Sequence, residues 1–148
     1  MANPLKVSAR TVILVEPEET VEEQLRSELV GGKFDVVSAR DLNQIDRLLA
    51  ERFSKIPPLA VLVDMVLPQS SGFDLVRRLC EKHGDKKLTI FILSKVLDPT
   101  DQAEANSSGA IGLIKKPFTR SEFEQALENV RMRRLKAEIG SIVFSIGS

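Results

Sequence analysis

Five short apolar runs recur along this chain, and each gives way to a segment of helical character. They are Thr11 to Val15, Phe34 to Val37, Leu59 to Val63, Leu88 to Leu93 and Ile111 to Ile114. Runs with so little polar alternation describe strands buried on both faces, the arrangement found inside a parallel sheet. Strand-then-helix units of this length, joined by short loops, predict an α/β fold: a doubly wound five-stranded parallel sheet with helices on both faces. A chain of 148 residues buries a core without staples as one domain, here expected over residues 1–138, with 139–148 a tail of unknown role.

The helices are marked by their ends. Thr20 with Glu23 reads as a capping box opening the first helix, whose stripe is Val21, Leu25 and Leu29. Gly31-Gly32 is expected to end it through positive φ. Asp41 with Gln44 caps the second helix, which Pro57-Pro58 would close. The third runs from about Phe73 to His83 and stops at Gly84. Pro99 to Ser108 is polar, with Ala103 and Ala105 its only apolar residues, so a helix there is weakly held. Thr119 and Glu122 form a further capping box before a helix through Phe123, Leu127 and Val130, with a basic face from Arg131 to Lys136.

Composition narrows the class. Lys plus Arg, 21, balance Asp plus Glu, 21, so no global field draws the chain to nucleic acid or anionic lipid. The basic face of the last helix is too short to argue for nucleic acid. The single cysteine, Cys80, forms no internal disulfide, offers no metal cluster, and reads as a small core filler. No apolar run approaches the ~20 residues of a membrane span. Met1 to Arg10 lacks the apolar core of a signal peptide, and the expected location is the cytoplasm.

Chemistry gathers at the strand ends. Glu16 follows the first strand, Asp64 the third, Ser94 the fourth and Lys116 the fifth. In a parallel sheet these positions share one edge, the edge where open α/β sheets bind ligands. Asp64 alone reads equally well as a turn starter. In company it gains meaning: clustered carboxylates suit a hard cation such as Mg²⁺, and a carboxylate so placed is a nucleophile toward phosphorus. A nearby ammonium and hydroxyl would neutralise and hydrogen-bond the phosphoryl oxygens.

This set resembles the receiver domain of two-component response regulators: Asp64 after a buried strand, Leu67-Pro68 and Gly72 in the loop, Ser94 closing its strand, Gly109-Ala110, and Lys116-Pro117-Phe118. The spacings from Asp64 to Ser94 and from Ser94 to Lys116 agree, and the match runs from about Arg10 to Arg134. The resemblance implies strand order 2-1-3-4-5 and a non-enzymatic signalling module. Asp64 would be the phosphoacceptor, served by a sensor histidine kinase or phosphotransfer protein. Ser94 would be the switch hydroxyl and Lys116 the phosphate-pairing ammonium. Glu16, Asp64 and the Val66 backbone carbonyl would hold Mg²⁺, and a downstream protein would dock on the last strand and its flanking helices. The alternative is a phosphorylation-independent pseudo-receiver that acts as a protein-protein interaction module.

Departures from the pattern bear on activation. Receivers carry two adjacent acids after the first strand; here the pair is Glu16-Pro17, and the proline has no ligand atom, so Mg²⁺ should bind weakly. Pro17 followed by Glu18-Glu19 reads as helix-start chemistry. Lys95 replaces the usual small residue after the switch hydroxyl, where it adds a cation for phosphate, obstructs the donor, or points to solvent. Leu113 stands where an aromatic is usual, and Val66 and Val96 replace polar groups that position the hydrolytic water. A flavodoxin-like cofactor protein is disfavoured, because Glu16, Glu18 and Glu19 would repel a phosphate after the first strand. An aspartyl phosphatase would want a carboxylate at Val66. His83, the only histidine, reads as a helix-end cation or spectator.

Overall fold

A computed structural model describes residues 8–147, with side chains except those of 85 and 142–147. Residues 1–7 and Ser148 lie outside the described residues, and with them most of the stretch read as lacking a signal peptide. The strands are β1 (Thr11–Val15), β2 (Asp35–Ser38), β3 (Ala60–Asp64), β4 (Ile90–Ser94) and β5 (Gly112–Lys115). The helices are α1 (Glu19–Gly31), α2 (Leu42–Glu51), α3 (Gly72–His83), α4 (Pro99–Ser108) and α5 (Arg120–Gly147). The strands form one parallel sheet in the order β2-β1-β3-β4-β5, as expected.

Strand side chains alternate between the two faces, and both faces are covered. Ile13, Val15, Val61, Val63, Ile90 and Ile92 pack under α2, α3 and α4 with Ile45, Leu49, Val76, Leu79 and Ala105. Val12, Leu14, Leu62, Phe91 and Leu93 face α1 and α5, meeting Leu25, Leu29 and Phe123. The three central strands are buried at every position, which explains their near-continuous apolar sequence.

Several helix ends differ from their sequence signals. The Thr20–Glu23 box does not form: α1 begins at Glu19, and its N-cap is Glu18, without a side-chain cap bond. Pro17 accordingly precedes the cap rather than filling the first helical position. What anchors this start is Glu16, whose Oε2 accepts the Glu18 amide at 3.1 Å. At the other end Gly32 keeps a negative φ, and the left-handed residue is Lys33, at φ 65°. The Arg10 guanidinium tethers that turn, donating to the Lys33 and Gly32 carbonyls at 3.0 and 2.9 Å.

Helix α2 stops at Glu51, well before Pro57-Pro58, with Phe53 buried just beyond it. Helix α3 does end at His83 with Gly84 as its C-cap, as read; Gly84 then opens a short 3₁₀ turn whose left-handed residue is Lys87. The boxes at Asp41 and Thr119 form as read: Asp41 accepts from the Gln44 amide at 2.9 Å, and Thr119 and Glu122 bond reciprocally. Gly109 ends α4 at φ 111°, and a Cβ there would also press into the Cys80 sulfur. Helix α5 continues through the expected tail as far as Gly147. From Arg131 to Ser141 every residue of it is exposed.

Candidate functional site

Register places the site. Asp64 pairs with Leu93 and Ser94 pairs with Lys115, so the carboxyl ends of β1, β3, β4 and β5 open onto one edge. Two backbone bonds lock the ends together: the Met65 amide donates to the Leu93 carbonyl at 2.8 Å, and the Lys116 amide to the Ser94 carbonyl at 2.9 Å. Gly72 closes the loop over Asp64. Its amide donates to the Met65 carbonyl at 2.8 Å, and a Cβ there would collide with the Asp64 backbone carbonyl. Only glycine permits that approach.

Three charged side chains meet in the buried floor. The Lys116 Nζ donates to Glu16 Oε1 at 2.7 Å and also contacts Asp64 Oδ2. The side chains of Lys116, Glu16 and Asp64 are 6%, 0% and 4% exposed, so each charge depends on the others for its solvation. The second Asp64 oxygen, Oδ1, accepts the Val66 amide at 2.8 Å. Asp64 is thus oriented from both sides, and its carboxylate lines a cavity of about 460 Å³.

Ser94 lines the same cavity but is turned toward its own loop. Its hydroxyl donates to the Val96 carbonyl at 2.7 Å and accepts the Val96 amide at 3.3 Å. Pro17, Glu18, Val66, Lys95 and Val96 form the rim. Val66 and Val96 are 68% and 65% exposed, so two apolar side chains flank the opening. The Lys95 ammonium stands 4.0 Å from Glu18 Oε1, an ion pair at its outer limit. Leu113 packs partly buried against the α2–α3–α4 core face.

All five site residues read from sequence, Glu16, Asp64, Val66, Ser94 and Lys116, therefore line one cavity, and the Lys116 ammonium touches the Glu16 and Asp64 carboxylates. Sequence reasoning missed Asp101, which reaches the cavity from α4 with no local motif to announce it. It also missed the Glu16–Glu18 bond, which ties the site to the start of α1. His83 is no spectator: it lies 2.7 Å from Asp46 Oδ1 on α2, and Lys82 meets the other oxygen at 2.9 Å. Burial pushes the Asp46 carboxyl up, but the hydrogen bonds and charges of Lys82 and His83 outweigh it and hold the carboxyl below its ordinary value.

As a cation site the floor is incomplete. Among the described residues no three acidic, histidine or cysteine side chains are grouped to hold a metal ion. Glu16 is already engaged by Lys116 and the Glu18 amide, and Pro17 contributes no donor. The loop bridge between Val66 and Ser71 uses the Met65 and Ser70 carbonyls and leaves that of Val66 out. Two carboxylates and one carbonyl fit a hard divalent cation only in part.

Comparison with known proteins points one way. A family profile described as response regulator receiver domain matches residues 12–128. Response regulator RR06 of Streptococcus pneumoniae is 24% identical over 73% of this chain and 46% of its own length. The phosphate regulon transcriptional regulatory protein PhoB of Rhizobium meliloti is 29% identical over 92% of this chain and 58% of its own. The chain thus spans about half the length of these curated relatives. Among solved structures, chemotaxis response regulator CheY4 of Vibrio cholerae superposes with a TM-score of 0.68 at 20% identity, covering 83% of this chain and 99% of that one. A response regulator from Chloroflexus aurantiacus gives 0.70 at 25%, covering 82% and 96%.

Proposed function

The chain belongs to the response regulator receiver domain family, and from that premise we propose that Asp64 accepts a phosphoryl group from a phosphohistidine on a sensor kinase or phosphotransfer protein. The observation that carries this reading is the buried contact of Lys116 with both Glu16 and Asp64. Burying three charges is costly, and a site with no use for them would be as stable with apolar residues of similar volume. The binding-module alternative leaves that cost unexplained.

The transfer uses this chain's own groups. An Asp64 carboxylate oxygen attacks phosphorus, the P–N bond to the donor imidazole breaks, and the imidazole leaves with a proton. The Val66 amide fixes Asp64 Oδ1, so the carboxylate presents one orientation. Lys116 exchanges part of its carboxylate pairing for the phosphoryl oxygens. Ser94 then releases the Val96 carbonyl and donates to the phosphoryl group, pulling the β4–α4 loop inward. Mg²⁺, held weakly by Glu16, Asp64 and the Val66 carbonyl, would supply further positive charge when bound. Val66 and Val96 put apolar side chains at the two rim positions where a polar group would position water, so the acyl phosphate is slowly hydrolysed.

The surface that responds is α4, β5 and α5. Helix α4 buries only the small residues Ala105 and Ser108, whereas α2 is anchored by Ile45 and Leu49 and α3 by five buried residues. Leu113, in place of an aromatic, passes the shift on through packing. A downstream protein binds there, and residues 139–148 lie beyond the receiver unit proper. The test is amide resonance mapping with beryllofluoride and millimolar Mg²⁺. Resonances around Ser94, Lys116 and α4 are expected to move, and an unchanged spectrum would sink the proposal.

A further inference from the structure

We propose that Lys95 is the second phosphoryl-binding cation of this site, substituting for the metal charge that Pro17 forfeits. The inference rests on the phosphoacceptor reading of Asp64 and goes beyond it in naming what balances the charge.

The argument begins with electrostatics. Glu16, Asp64 and Lys116 leave the floor with one net negative charge. A receiver with a second acid after β1 would hold one more negative charge and, with a divalent ion bound, two positive ones. That acid and its ion together contribute a single net positive charge. Pro17 removes the acid and weakens the ion's hold, and one ammonium restores the same balance.

Lys95 is the ammonium in position to do so. It follows Ser94 directly and lines the cavity that also contains Asp64, Pro17 and Lys116. Its side chain is 72% exposed, and its one ionic partner among the described residues is Glu18, at 4.0 Å across the rim. Exposed pairs at that distance contribute little, so the ammonium redirects at small cost on its flexible four-carbon stem. Glu18, 53% exposed, lines the same rim as Asp101, and both acids compete with a bound phosphoryl group for Lys95. In the unmodified protein Glu18 parks Lys95 beside the mouth; an anion on Asp64 draws it inward.

The test is titration of the full chain with beryllofluoride, with Mg²⁺ removed by chelation and at millimolar Mg²⁺, followed through the Ser94 and Lys116 amides. Wild type is expected to bind with chelator present, and its affinity to rise no more than about threefold with Mg²⁺. Lys95→Ala should weaken metal-free binding roughly tenfold or more, the scale of one charge-assisted hydrogen bond. Lys95→Arg should retain it, and Glu18→Gln should strengthen it. If Lys95→Ala bound as tightly as wild type without metal, or wild type bound only with Mg²⁺, this proposal would be overturned while the Asp64 reading stood. Absence of any binding by wild type at saturating Mg²⁺ would overturn both.

Discussion

At the scale of single residues, the site combines a strict steric demand with a strict electrostatic one. Gly72 answers the first. Because a Cβ would run into the Asp64 carbonyl, Gly72→Ala is expected to destabilise the fold by about 2 kcal/mol and to shift the Asp64 and Val66 amides, measured by urea unfolding and amide resonances. Lys116 answers the second. Lys116→Met strips the cation from two buried carboxylates and should cost on the order of 3 kcal/mol in urea unfolding near neutral pH, whereas a loss below 0.5 kcal/mol would contradict the floor described. At the rim, Val66→Asn should speed hydrolysis of the acyl phosphate by about tenfold, on the scale of one positioned polar group, as read by phosphate release. These residues were legible because charge stands out at the end of an apolar run. Asp101 was not, because nothing in a polar helix marks one acid as lining the cavity.

At the scale of elements, the strands were legible and the helix ends were not. Strands β1, β3 and β4 are buried at every position, so selection for apolar side chains writes them directly into the sequence. Helix ends depend on tertiary bonds that local motifs do not reveal. The Thr20–Glu23 motif gave way because Glu16, a site residue, holds the Glu18 amide and starts α1 one residue before Thr20. The turn after α1 does not need a left-handed glycine, because Arg10 clamps the carbonyls of Gly32 and Lys33. The α2–α3 contact is a third case, built from Asp46, Lys82 and His83 across 36 and 37 positions. Its carboxyl is held below the ordinary value of 3.8, so its stabilisation is present above that pH and is lost as pH falls through the lowered folded value. Asp46→Asn should therefore cost about 1 kcal/mol at pH 7, and the difference from wild type should close at pH values well below 3.8, as compared by urea unfolding. A difference that persisted in strong acid would contradict the clamp.

At the scale of the whole molecule, the sheet topology carries residues from four strand ends into one cavity. Helix α5 is the exception to compactness. It runs 28 residues, and Val130 is its last buried residue among those with described side chains. Beyond that, Arg134 still reaches back to the Thr89 hydroxyl at 2.9 Å. A chain ending at Glu138 should thus unfold at the same urea midpoint as the full chain, within the error of about 0.5 kcal/mol expected for surface changes. A large loss would show that residues 139–148 support the receiver body. The sequence reading divided the chain there, where the basic face gives way to alternating Gly, Ser and apolar residues; the uninterrupted helix across that boundary was hidden by those glycines and serines. The central claim concerns Asp64, and it is tested most directly by intact-mass measurement after exposure to phosphoramidate at millimolar Mg²⁺. The account predicts the gain of one phosphoryl group in wild type and none in Asp64→Asn; no gain in wild type, or an equal gain in the variant, would contradict it.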